Sequence, residues 1–140
     1  KHDGSFKAQL FMSDDPETIY RKWNEGPANK VKFVDLPKIK AGKHFEAIVV
    51  FSGCISDKNE KCTLTGDWTL ATLEGEVLAD IDDAPVYAGP GQALDNQLMI
   101  SMNGIGLAAE AGIGGYKIKV TVRDKNGKNH VTLQRTLVVE

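Results

Sequence analysis

The chain has 140 residues, 41% of them hydrophobic and 26% charged, and its 17 basic and 19 acidic side chains leave a net charge of −2. That length suits one domain, spanning 1–140, able to bury roughly 68% of its unfolded surface, and the near-neutral balance gives no electrostatic reason to bind nucleic acid or an anionic membrane. The longest apolar run, Ala47-Ile48-Val49-Val50-Phe51, is strand-sized and far short of the ~18–20 residues that cross a bilayer, so no membrane span is expected.

Fourteen glycines suit a chain with many turns, which favours β over helical architecture. The chain opens at Lys1 on polar residues and without Met, so it reads as a processed or trimmed form from which any signal peptide is already gone.

Taken in order, Phe6 to Met12 reads as a first strand, with Phe6, Ala8 and Leu10 on one face. Ser13-Asp14-Asp15-Pro16-Glu17 then has the form of a helix start: an Asp cap, Pro at the first helical position, and an acid. Ile19, Tyr20 and Trp23 give this short N-terminal helix its apolar stripe, and Asn24-Glu25-Gly26-Pro27 ends it. A short strand is expected at Val31–Val34, closed by Asp35-Leu36-Pro37.

His44 to Ser52 is apolar on both faces in its second half, as a central strand should be. Leu64 to Leu73 alternates cleanly, with Leu64, Trp68 and Leu70 opposite Thr65, Asp67 and Thr69. Glu74-Gly75 turns the chain into Glu76–Ala79. The acidic, Pro- and Gly-containing stretch Asp80–Asn96 reads as a long connection or a ragged edge strand.

Gln97–Met102 is a strand by alternation, and Asn103–Gly115 a loop with one helical turn at Leu107-Ala108-Ala109-Glu110. Tyr116–Arg123 and Asn129–Val139, joined by Asp124-Lys125-Asn126-Gly127, carry the strongest hairpin signal in the chain. About eight short strands with turn chemistry every 8–12 residues predict an all-β fold, an antiparallel sandwich of two sheets.

Cys54 and Cys62 are the only cysteines and bracket a polar stretch. No partner His or Cys lies near enough in sequence to suggest a metal site, and no His is placed to activate a thiol. The favoured reading is a local disulfide, with two free thiols as the alternative; a disulfide points to the periplasm or the exterior of the cell.

Trp68 lies mid-strand and Tyr116 opens the penultimate strand after Gly114-Gly115. Immunoglobulin-like sandwiches place a core Trp on the third strand and a corner Tyr ahead of the sixth in this way. The run Phe51-Ser52-Gly53-Cys54, the second Cys62, Asp67-Trp68 and the ending Gly115 to Asp124 together resemble uncharacterised periplasmic proteins of proteobacteria. That resemblance implies an immunoglobulin-like sandwich of about 7–9 strands made with a signal peptide, and it implies no reaction.

No constellation of catalytic residues emerges: G-x-S-x-G is absent, and the Gly-rich stretches Gly104-Ile105-Gly106 and Gly112-Ile113-Gly114-Gly115 precede no helix that could hold a phosphate. No cofactor and no committed metal ligand are expected. A metal-handling alternative would draw on His2, Met99 and Met102 for copper, or on Asp80, Asp82 and Asp83 for calcium, although the latter lack EF-hand spacing. His44 and His130 read as solvated residues at strand starts.

The functional expectation is a non-enzymatic binding module that meets another protein through its loops or a sheet edge. Its candidate contact residues are Asp82, Asp83 and Tyr87 in the first long loop, and Ile105, Leu107 and Ile113 in the second, unless the apolar ones fold back over the core.

Overall fold

The computed structural model describes residues 6–13, 15–25, 38–40, 45–91, 99–101, 105–107 and 112–140. Among these lie nine strands and one helix: β1 (Lys7–Ser13), α1 (Pro16–Glu25), β2 (Lys38–Ile39), β3 (Phe45–Ser52), β4 (Lys61–Thr72), β5 (Val77–Pro90), β6 (Met99–Ile100), β7 (Ile105–Leu107), β8 (Gly114–Asp124) and β9 (His130–Val139). The strand expected at Val31–Val34 lies outside the described residues.

The smaller sheet runs β1–β3–β6, with β7 pairing on the same edge of β3 as β6. β6 faces Val50 and Phe51, while β7 faces Phe45 to Ala47, so the two are halves of one interrupted edge strand. Ser101 follows the first half: its N–H donates to the Val49 carbonyl at 2.8 Å and its hydroxyl accepts the Val49 N–H at 3.2 Å. The side chain thus takes over a ladder bond where the strand breaks.

The larger sheet runs β2–β9–β8–β4–β5. All its pairs are antiparallel except the two-residue β2–β9 contact, which is parallel. The topology is that of an immunoglobulin-like sandwich, with β1, β3 and β6/β7 as strands A, B and E against β9, β8, β4 and β5 as G, F, C and C′.

One continuous buried cluster joins the two sheets. Leu10, Met12, Val49 and Phe51 come from the smaller sheet, and Leu64, Trp68, Ile118, Val120, Val122 and Leu137 from the larger. The period-2 alternation of β4 and β8 puts their apolar set on this face, as the sequence predicts. Ile48 and Val50, on the other face of β3, are also buried, and α1 packs over that strand. The helix begins as expected, with the Asp15 carboxylate accepting the Thr18 N–H at 3.4 Å ahead of Pro16. It runs ten residues, longer than the one or two turns the apolar spacing suggests.

Two details fix the fold's corners. The buried Tyr116 hydroxyl donates to the Gly112 carbonyl, four residues upstream, at 2.5 Å. This is the tyrosine corner at the start of strand F. Gly66 lies in the core of β4, where an added Cβ would stand 3.0–3.1 Å from Val120, Trp68 and Val86.

Of the two readings of the Asp80–Asn96 stretch, the edge strand holds as far as Pro90, and part of the expected second loop is also strand. Val77–Pro90 is a single 14-residue edge strand, so Asp82, Asp83 and Tyr87 lie on β5 and not in a connection. Its alternation is hidden because register shifts against β4 break the period and because most of its side chains face solvent. Ile105 and Leu107 belong to β7, held by pairing with β3 where a loop and a helical turn are expected. Residues 108–111 lie outside the described set.

Candidate functional site

Two surfaces and a groove merit comparison. The first is the end of the sandwich where the β3–β4 loop meets the β8–β9 turn. Cys54, just past β3, and Cys62, in β4, form a disulfide with Cα atoms 6.2 Å apart. It ties the chain where it crosses between sheets, and both cysteines are buried.

The β8–β9 turn clasps this loop. The buried Asp124 carboxylate accepts the Ile55 N–H at 2.8 Å and the Asn126 N–H at 3.3 Å. The Asn126 side chain donates to the carbonyls of Ile55 and Lys61, both at 3.0 Å. Inside the loop, Asp57 accepts the N–H groups of Asn59 and Lys61 at 2.8 and 3.0 Å. Burial pushes the Asp124 carboxyl above the usual range, and the N–H groups of Ile55, Asn126 and Gly127 work against that rise. Every one of these groups is engaged in holding the loop, so this end is a fastening first.

The second surface is β5. Its Ala84–Pro90 half is seated on the core. A register shift between Leu64 and Thr65 leaves Val86 as an extra residue, so that both Val86 and Tyr87 turn inward. Tyr87 packs edge-on against Phe51 with ring centroids 5.3 Å apart, and its hydroxyl donates to the Pro90 carbonyl at 2.7 Å. Burial raises its pKa. The aromatic anchor expected of Tyr87 is therefore occupied within the fold.

A second bulge places Asp82 and Asp83 opposite Asp67, with Asp83 at φ 56°. The Asp83 N–H donates to the Asp67 carboxylate at 2.8 Å, Asp67 also binds Arg123, and the Asp83 carboxylate meets Lys125 at 3.4 Å. The Asp83 N–H and then the Arg123 guanidinium hold the Asp67 carboxyl below its usual range. The Asp83 carboxyl is likewise held below its usual range, with the Lys125 ammonium beside it. Asp83 is thus already neutralised by a lysine, which leaves the acidic trio poorly arranged for calcium. Among the described residues no three His, Cys, Asp or Glu side chains gather in a way that could hold a metal. Of the copper candidates His2, Met99 and Met102, Met99 is buried in β6; His130, read from sequence as a solvated residue, is exposed at the start of β9. His2, His44 and Met102 lie outside the described residues.

The Val77–Ile81 half of β5 differs. Ala79 pairs with Leu70 and Ile81 with Trp68, so both share the core-side face of the sheet. The smaller sheet, narrower than the five-strand sheet, does not reach over them, and Val77, Leu78 and Ile81 remain 43–58% exposed. Leu73 in the β4–β5 turn is also exposed, and it lies over Gly115, whose added Cβ would stand 2.3 Å from Leu73 Cδ1. Ile113, two residues before Gly115, is 77% exposed. Of the apolar residues proposed from sequence, Ile113 is the exposed one just ahead of Gly115, while Ile105 and Leu107 lie on β7. The patch could have been foreseen only by knowing that the facing sheet is narrow.

The outer edge of this half pairs with nothing among the described residues. The Ala84–Pro90 half carries the usual edge protection, Pro85, Pro90 and the neighbouring bulge. Val77–Ile81 has no proline, and a third register shift, between Leu70 and Ala71, leaves Leu78 as an extra residue and turns Val77 to the face opposite Ala79 and Ile81. With one bulge and no proline, this apolar half is the less protected part of the edge and still offers backbone groups to an incoming strand.

On the opposite seam, between β1 and β9, a groove of about 370 Å³ is lined by Ala8, Gln9, Leu10, Phe11, Leu133, Gln134 and Arg135. Arg135 is the one ionisable side chain in that lining.

No protein-family model and no curated relative matches the sequence. In structure the chain is similar to part of a family 123 glycoside hydrolase from Clostridium perfringens, with a TM-score of 0.50 and 11% identity over 96% of this chain and 27% of that one. The chain therefore spans about a quarter of that enzyme's length. It is also similar to the CARDB domain of a Pyrococcus furiosus protein in complex with di-metal ions, with a TM-score of 0.45 and 10% identity over 96% of this chain and 89% of that one. The C-terminal domain of wzt gives a TM-score of 0.44 and 11% identity over 74% and 64% of the respective chains. Identities this low concern the fold alone.

Proposed function

We propose that this chain is a non-enzymatic binding module that works outside the cytoplasm, periplasmic or secreted, and takes another protein at the exposed half of β5. The observation that carries the reading is the coincidence, on Val77–Ile81, of an unpaired sheet edge with the exposed apolar side chains of Val77, Leu78 and Ile81. Monomeric proteins seldom leave such a combination open without use. The Cys54–Cys62 disulfide supports an oxidising compartment, and the resemblance to periplasmic sandwiches of proteobacteria agrees with that placement.

The loop end serves this reading as scaffold, since its hydrogen bonds are spent within the fold. The test is capture from an extracytoplasmic extract by the immobilised chain, compared with Val77→Asp/Ile81→Asp. A partner held by the parent and lost by the variant supports the reading. A partner held equally by both places the site elsewhere, and no partner at all overturns it.

A further inference from the structure

Resting on the reading of the chain as a binding module, we infer that the Val77–Ile81 edge of β5 takes as an added strand an extended peptide segment whose apolar residues alternate with basic ones. With Leu78 as an extra residue, the five residues span about four strand positions, roughly 13 Å of edge at ~3.3 Å per residue, which seats about four residues of an incoming strand. The exposed Val77, Leu78 and Ile81 supply the contacts for its apolar side chains.

Charge decides the rest. Glu74 and Glu76 in the turn and Asp80 and Asp82 on the strand are exposed, and none of the four is in an ion pair among the described residues. On the same sheet, Lys117 and Lys119 of β8 pair with Ala71 and Thr69 of β4, one strand further in. At ~4.8 Å between strands, a segment beyond β5 lies about 14 Å from those lysines and about 5 Å from the acids. With a screening length of ~8 Å at physiological salt, the acids dominate what that segment meets.

The same charges argue against a second copy of this chain. The extra residue Leu78 breaks the register toward Glu76, so the antiparallel two-fold pairings to weigh are those centred beyond it, on Asp80 and Ile81. Centring on Asp80 opposes it to itself, and centring on Ile81 opposes Asp80 to Asp82. Like charges directly across a strand pair are destabilising.

The test uses the full chain, followed by backbone amide NMR, with two probes: an octapeptide alternating lysine and valine, and its glutamate–valine counterpart. The lysine peptide should slow amide exchange within Val77–Ile81 at least tenfold and bind at least tenfold tighter than the glutamate peptide. Asp80→Lys/Asp82→Lys should reverse that order, with the amides of Ile55 and Asn126 unchanged as the sign that the fold is intact. Equal binding of both peptides, binding of neither, or no reversal in the variant overturns the inference. So does protection of Val77–Ile81 in the free chain that grows with its concentration, which would identify a second copy as the occupant. Peptide-induced changes confined to the Ile55 and Asn126 loops would overturn the inference while leaving the binding-module reading standing, and that reading falls separately if extract capture finds no partner.

Discussion

Replacing Asp124 tests how the loop end is fastened. Asp124→Ala leaves the part-buried Ile55 N–H without its acceptor at 2.8 Å and frees the Asn126 N–H. Asn126 is exposed and can turn to water. Orphaning a buried donor costs ~1–3 kcal/mol, and the weaker second bond adds a fraction of that, so ~2–3 kcal/mol is expected in all. At ~2.1 cal/mol/K per residue, 140 residues carry an unfolding entropy near ~0.3 kcal/mol/K, which converts the loss to a fall in Tm of about 7–10 °C. Asp124→Asn keeps one acceptor and turns an NH₂ toward the other donor, so it should cost less, ~1 kcal/mol.

The pH dependence tests the balance of forces. Burial raises the folded pKa above the unfolded value despite three opposing N–H groups. The folded chain therefore holds more protons than the unfolded one between the ordinary pKa near ~3.9 and the raised value. This group's contribution is full below the ordinary pKa and is lost as pH rises through the raised one. Urea titrations of parent and Asp124→Asn between pH 3.5 and 7 should thus show a stability gap that narrows as pH rises. A gap that widens would mean the hydrogen bonds outweigh desolvation and would refute the account.

Removing the disulfide in Cys54→Ala/Cys62→Ala, which closes a separation of eight residues, should lower stability by ~2.5 kcal/mol in urea on the chain-entropy account. A thiol reagent should label neither cysteine of the native parent. Tyr116→Phe deletes the bond to Gly112 and should cost ~1 kcal/mol by denaturant titration. Gly66→Ala, with its Cβ forced to within 3.1 Å of three side chains, should cost ~1–3 kcal/mol by the same measure. Thermal melts with a hundredfold excess of Cu²⁺ or Ca²⁺ over a site's Kd would raise stability by ~2.7 kcal/mol if a native-state site existed; no shift is expected with either ion.

Local chemistry alone determined much of this protein. The alternation of Leu64, Trp68 and Leu70 and of Tyr116, Ile118, Val120 and Val122 was enough to orient β4 and β8, because strand periodicity records which face is buried. Asp15-Pro16 marked the helix start through its own side-chain and ring chemistry, and two lone cysteines marked the disulfide. The edge of β5 was legible only as one of two alternatives, for a physical reason: an uncovered, bulged strand has neither the burial nor the regular register that leaves a clear pattern in sequence. Tertiary structure alone showed that Asp83 answers to Lys125, that Tyr87 is spent on Phe51, and that β5 outruns the narrow sheet facing it. The first depends on which turn lies beside β5 in its own sheet and the other two on how one sheet packs over the other, properties that belong to no single stretch of the chain.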